Sequence, residues 1–145
     1  MTLENEIAVK VFETVPSIVR SLRAEIKNSI QEVSFPQFRV LSNIHRGLSH
    51  IGEIAEHHGI SQPSVSKMVD ILVEKGLVKK NRSKRDARNY DLQLTDKGRT
   101  LLLAGRNKAH KGISKKIRHL SKADKEKILE ALSILDTYYL KGGEG

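Results

Sequence analysis

Residues 49–75 read SHIGEIAEHHGISQPSVSKMVDILVEK. Ser49 is placed to cap a short helix whose apolar positions are Ile51, Ile54 and Ala55. Gly59 ends that helix, because the left-handed residue that commonly closes a helix is cheap only for glycine. Ile60 then reads as an apolar plug at the corner. Ser61 caps a second helix with Pro63 in its first turn, and Val65, Met68, Val69 and Leu72 recur at i, i+3, i+4 and i+7 along one face. Two helices joined by a tight glycine turn make a helix-turn-helix. The other face of the second helix carries Gln62, Ser64, Ser66 and Lys67, polar side chains that enter a DNA major groove without clashing.

The downstream sequence extends this motif. Gly76 ends the second helix, and Leu77 and Val78 open a short strand. Residues 81–95, NRSKRDARNYDLQLT, then crowd Arg82, Lys84, Arg85 and Arg88 around Asp86. Tyr90, Leu92 and Leu94 alternate with polar residues immediately afterwards, the period of a half-buried strand. A helix-turn-helix followed by a cationic hairpin is of the winged type. From residue 51 to Gly98 the sequence resembles the MarR family of bacterial and archaeal transcription regulators. The Asp86-Ala-Arg88 spacing, Leu94-Thr95 and Lys97-Gly98 stand where that family has them. One departure is His58, at a position where such proteins usually have a core leucine; unusual packing or a polar contact is expected there.

The flanks share the layout of that family, so the resemblance covers essentially the whole chain. Ile7, Val11, Val15, Ile18, Leu22, Ile26, Ile30 and Val33 recur at steps of three or four, the signature of one long amphipathic helix. Pro16 lies inside it, and a kink or a new start is expected at that point. Ser34 and Gln37 form a capping box for the next helix, with Val33 and Phe38 as its hydrophobic staple. Phe38, Leu41 and Ile44 continue its stripe as far as Gly47. Thr95 caps a helix carrying Leu101, Leu102, Leu103, Ile113 and Ile117. Ser121 caps the last one, with Ile128, Leu129, Leu132, Leu135 and Tyr139 along one side. A small winged module cannot bury all these stripes, and packing against a second copy would.

The expected fold is therefore mainly α with a small β-hairpin wing (α+β). It is a single MarR-like domain over 1–145, with dimerisation helices at 1–33 and 100–140. The winged helix-turn-helix module spans 35–98, with a first helix at 49–58, a recognition helix at 61–75 and a wing at 77–94. Residues 141–145 form a flexible tail.

Charge and composition narrow the function. The net charge of +9 is concentrated, with residues 75–99 holding nine Lys or Arg against three Asp or Glu. A localised basic region implies a polyanionic partner. The chain has no cysteine, which excludes disulfides, thiolate metal sites and thiol-based oxidant sensing. Its acidic start is no signal peptide, and no apolar run approaches a membrane span, so a cytoplasmic protein without membrane attachment is expected.

Enzymatic readings find little support. Ser64-Val-Ser66-Lys67 contains S-x-x-K, but it opens a helix and has no partner motifs or α/β scaffold. No glycine-rich phosphate loop and no paired carboxylates stand out. His50, Glu53 and His57 share a helix face at a spacing that could grip a metal, with His58 adjacent, but histidines beside a DNA surface are more often solvated, and no metal or cofactor is expected.

The resemblance implies a homodimer on double-stranded DNA that represses transcription at a pseudo-palindromic operator and responds to a small-molecule effector. Ser61, Gln62, Ser64, Ser66 and Lys67 of the recognition helix, with Lys84, Arg85, Asp86 and Arg88 of the wing, are its expected DNA-binding residues. The alternative is an architectural, largely non-specific DNA-binding protein. The ratio of specific to non-specific affinity separates the two.

Overall fold

A computed structural model describes residues 1–84 and 90–139. The helices are α1 (Leu3–Ser29), α2 (Phe35–His45), α3 (Ile51–His58), α4 (Gln62–Glu74), α5 (Asp96–Ile117) and α6 (Lys122–Tyr139). Strands β1 (Val78–Arg82) and β2 (Tyr90–Leu94) lie between α4 and α5 and pair antiparallel, from Val78 opposite Leu94 to Arg82 opposite Tyr90. The chain parts into two compact units, Met1–His110 and Lys111–Gly145. This is the expected mainly helical architecture with a hairpin wing.

Local chemistry sets the element ends. Ser34 Oγ accepts from the Gln37 N–H while Gln37 Oε1 accepts from the Ser34 N–H, completing the capping box of α2. Ser61 accepts from the Ser64 N–H at the start of α4. Thr95 does the same for the Gly98 N–H at α5, and Ser121 for the Asp124 N–H at α6. Gly59 takes φ +66° and lets the Ile60 N–H reach back to the Ala55 carbonyl, which turns the chain sharply between α3 and α4.

In the first unit, Val40, Leu41, Ile54, Val65, Val69, Leu72, Leu77 and Leu102 are essentially sealed from solvent. They come from α2, α3, α4, the start of the wing and α5, so the helix-turn-helix and the hairpin share one core. Ile26, Ile30, Val33 and Phe38 extend it along the end of α1, and buried Gly105 faces Ile30 and Phe38. The rest of α1 is different. Leu3, Ile7, Phe12, Val15, Ile18 and Val19 stand exposed, Phe12 at 84%.

In the second unit, α6 buries none of its residues, and Ile128, Leu129, Leu132 and Ile134 are exposed, Leu129 at 68%.

Three local expectations are corrected. Helix α1 runs through Pro16 without interruption. The carbonyl that proline leaves without a partner belongs to residue 12, on an exposed stretch where solvent can satisfy it. Ser49 does not cap α3: the helix starts at Ile51 with His50 at the N-cap and no side-chain capping bond. The Ser49 carbonyl is instead engaged by the Leu92 N–H of β2 at 2.9 Å, which draws that residue into the wing. Ile60 is 40% exposed and plugs no corner.

Candidate nucleic-acid interface

The exposed face of α4 presents the expected recognition residues. Gln62, Ser64 and Lys67 are exposed and Ser66 is half-buried, while Val65, Val69 and Leu72 hold the opposite face in the core. Ser61 is committed to the helix end, since its hydroxyl meets both the Ser64 N–H and, at 2.8 Å, the Ser64 hydroxyl. Gln62 opens the helix beside Gly52 of α3; a methyl group at Gly52 would lie 3.5 Å from Gln62 Nε2. That is ordinary contact distance, so the Gln62 amide packs beside the start of α3 without requiring glycine there.

Gln62 and Ser66 also line a cleft of about 720 Å³, together with His50, Gly52, Glu53 and Tyr90. The cleft brings the first turns of α3 and α4 to Tyr90, the first residue of β2. Ser64 and Lys67 lie on α4 outside its lining. Lys84 is exposed just beyond β1. Arg85, Asp86 and Arg88 lie outside the described residues, as does the expected tail at 141–145.

The wing is fastened to the helix-turn-helix through residues of both strands. Lys80 Nζ lies 3.4 Å from Asp70 Oδ1 of α4. The Nδ1 of His50 donates to the Tyr90 carbonyl at 3.2 Å and lies 3.6 Å from Asp91 Oδ1. At the other end of the hairpin, Thr95 Oγ1 donates to the Gly76 carbonyl at 2.6 Å and the Thr95 N–H to the Leu77 carbonyl at 3.1 Å. The recognition helix and wing are thus a single braced surface. Asp70, Lys80, Arg82 and Tyr90 are not among the expected DNA-binding residues, although the sequence marks Arg82 as a wing cation and Tyr90 as a strand residue; pairing the two strands by register would have brought the two together. No sequence pattern marked His50 as a wing contact.

His58 makes the polar contact its unusual position suggested. Asn43 Nδ2 of α2 donates to His58 Nε2, and Asn43 is itself buried. Burial, then the Arg39 charge, then His57 lower the His58 pKa from 6.5 to about 4. A neutral ring suits the contact, because an amide nitrogen can only donate to it. His50 Nε2 and Glu53 Oε1 are 4.0 Å apart, while the His57 ring stacks obliquely near His58. Among the described residues no three His, Asp or Glu side chains are placed to hold a metal ion.

This architecture, a helix-turn-helix braced to a basic hairpin between long flanking helices, is that of a winged-helix transcription regulator. The sequence model of the MarR family matches residues 31–89. YfiV of Bacillus subtilis, described as an uncharacterised HTH-type transcriptional regulator, is 30% identical over 105 residues, covering 72% of this chain and 66% of YfiV. The HTH-type transcriptional regulator TcaR of Staphylococcus aureus is 28% identical over 134 residues, 88% of each protein. The crystal structure of RV1404 from Mycobacterium tuberculosis superposes with a TM-score of 0.80 at 19% identity, covering 100% of this chain and 97% of that one. The chain belongs to the MarR family of winged helix-turn-helix transcriptional regulators.

Proposed function

We propose that this chain represses transcription by binding a pseudo-palindromic operator as a homodimer, with α4 in the major groove and the wing toward the minor groove. The observation that carries this reading is the exposed polar face of α4 braced beside a hairpin whose sequence is strongly basic. Gln62, Ser64 and Lys67 read bases, Ser61 and Ser66 lie nearer phosphates, and Lys84, Arg85 and Arg88 meet the backbone and minor groove, with Asp86 orienting Arg88. The uncovered apolar stripes of α1 and α6 support residues 1–33 and 100–140 as dimerisation helices. A dimer places the two recognition helices about 10 base pairs apart.

A small ligand that shifts the spacing of the two modules would regulate the protein. A cavity of about 680 Å³ where α1 meets α2, flanked by Arg23, Lys27, Ile30 and Phe35, supports such a seat.

In vitro selection from fragmented genomic DNA tests the reading. The recovered duplexes should share a two-fold symmetric sequence, and Gln62→Ala should relax preference at one position of each half-site by about 1–3 kcal/mol. Equal retention of all fragments would instead mark an architectural binder.

A further inference from the structure

The first residue of β2 collects contacts from β1 and from the start of α3. Lys80 Nζ lies 4.5 Å, and Arg82 Cζ 5.8 Å, from the centroid of the Tyr90 ring, both within reach of cation–π attraction. Strand register explains the grouping. Arg82 stands directly opposite Tyr90 and Lys80 opposite Leu92, so both cations share the Tyr90 face of the hairpin. Lys80 also pairs with Asp70 of α4, and its side chain is only 24% exposed. It is therefore an internal strut rather than a group extended toward solvent. Arg82 is exposed at the end of the strand. The Tyr90 main chain is held from the other side by His50 at the start of α3.

We propose that Tyr90 is a positioning residue for DNA binding. Its ring, locked to the recognition helix through Lys80 and Asp70, sets the direction in which Arg82 leaves the wing toward the phosphate backbone. The phenol hydroxyl has no part in this; the aromatic face does the orienting. This inference rests on the reading of the chain as a sequence-specific DNA binder.

The test uses the full chain, a duplex recovered by in vitro selection and a scrambled duplex of equal length. Tyr90→Leu should weaken binding to the selected duplex by about five- to tenfold, the size of a partly shielded cation–π contact. Tyr90→Phe should bind within about twofold of the parent, because it keeps the ring face. Lys80→Gln breaks the strut while leaving the ring in place, and a loss of similar size is expected for it. Melting temperatures of all three variants should stay near that of the parent. If Tyr90→Phe loses as much as Tyr90→Leu, the hydroxyl itself contacts DNA and the positioning role is overturned. Parent-like binding by Lys80→Gln overturns it independently, even if Tyr90→Leu fails to fold. A parent that does not distinguish the two duplexes overturns the sequence-specific reading as well, and it does so before any variant is made.

Discussion

Replacing Gly98 by alanine inverts the usual expectation for a helical glycine. Within an exposed helix, Gly→Ala stabilises by about 1 kcal/mol through backbone entropy. Gly98 lies in the first turn of α5 and is buried against the wing. A Cβ there would sit 2.1 Å from the Leu77 carbonyl oxygen and 3.0 Å from its carbon. Both are backbone atoms, so no rotamer change relieves the clash. The chains would have to separate by roughly 1 Å or more to reach ordinary contact. That movement is resisted, because the same carbonyl accepts from the Thr95 N–H and Thr95 Oγ1 ties the adjacent Gly76 carbonyl. Overpacking costs about 1–3 kcal/mol and a strained hydrogen bond about 1 kcal/mol more. Set against the helix-propensity gain, the net destabilisation is about 2 kcal/mol, or roughly 5–10 °C in melting temperature for a chain of this size. Thermal and urea unfolding followed by circular dichroism measure it. Gly105→Ala is the comparison, because its Cβ would meet side-chain atoms of Ile30 and Phe38, which shift more easily than backbone although both residues lie in the core. Gly105→Ala should therefore cost less. A Gly98→Ala protein that melts at or above the parent would refute the close approach of α5 to Leu77.

Three further outcomes are expected. His58 has a folded pKa lowered to about 4, so the unfolded chain takes up a proton first as pH falls, and stability should be lost between pH 6.5 and 4. After allowance for solvent reaching a ring that is not fully buried, the loss is about 1–2 kcal/mol; His58→Gln should flatten this slope in urea titrations across that window. Leu129→Glu combined with Leu132→Glu changes two exposed residues of α6, and should yield a folded monomer by sedimentation that no longer retains the selected duplex. Asp86→Ala makes the chain more positive yet should weaken operator binding by about 0.5–1.5 kcal/mol, and Arg88→Ala by about 1–3 kcal/mol, in titrations at fixed salt; tighter binding by Asp86→Ala would end its orienting role.

Much of the fold was legible because its signals are local. A cap speaks to residues two or three positions on, and the stripe of α4 repeats within a few turns, so Ser34, Ser61, Thr95 and Ser121 mark helix starts by themselves. The misplaced start of α3 arose where a distant partner claimed a local group. Ser49 has the chemistry of a cap, but the Leu92 N–H takes its carbonyl and the helix starts two residues later. The candidate interface divides in the same way. Periodicity shows that Gln62, Ser64 and Lys67 point away from the core, but it cannot show that Gln62 lies beside Gly52 or that Asp70 holds Lys80. Those contacts depend on how closely two helices approach and on the hairpin register.

The apolar stripes of α1 and α6 favour a partner beyond one protomer. Their spacing shows only that each helix has a side to bury. The structure adds that the stripe of α1 before Ile26 lies largely uncovered, and that α6 buries no residue in the described chain. Soluble monomers rarely leave contiguous apolar patches of more than a few hundred Å² facing water. A second copy offers the same stripes in return, which is the self-complementarity a two-fold dimer requires. In the proposed dimer a two-fold axis in the protein would call for a two-fold axis in the DNA, so the exposed Phe12 and Leu129 would bear on the shape of the proposed operator as directly as Gln62.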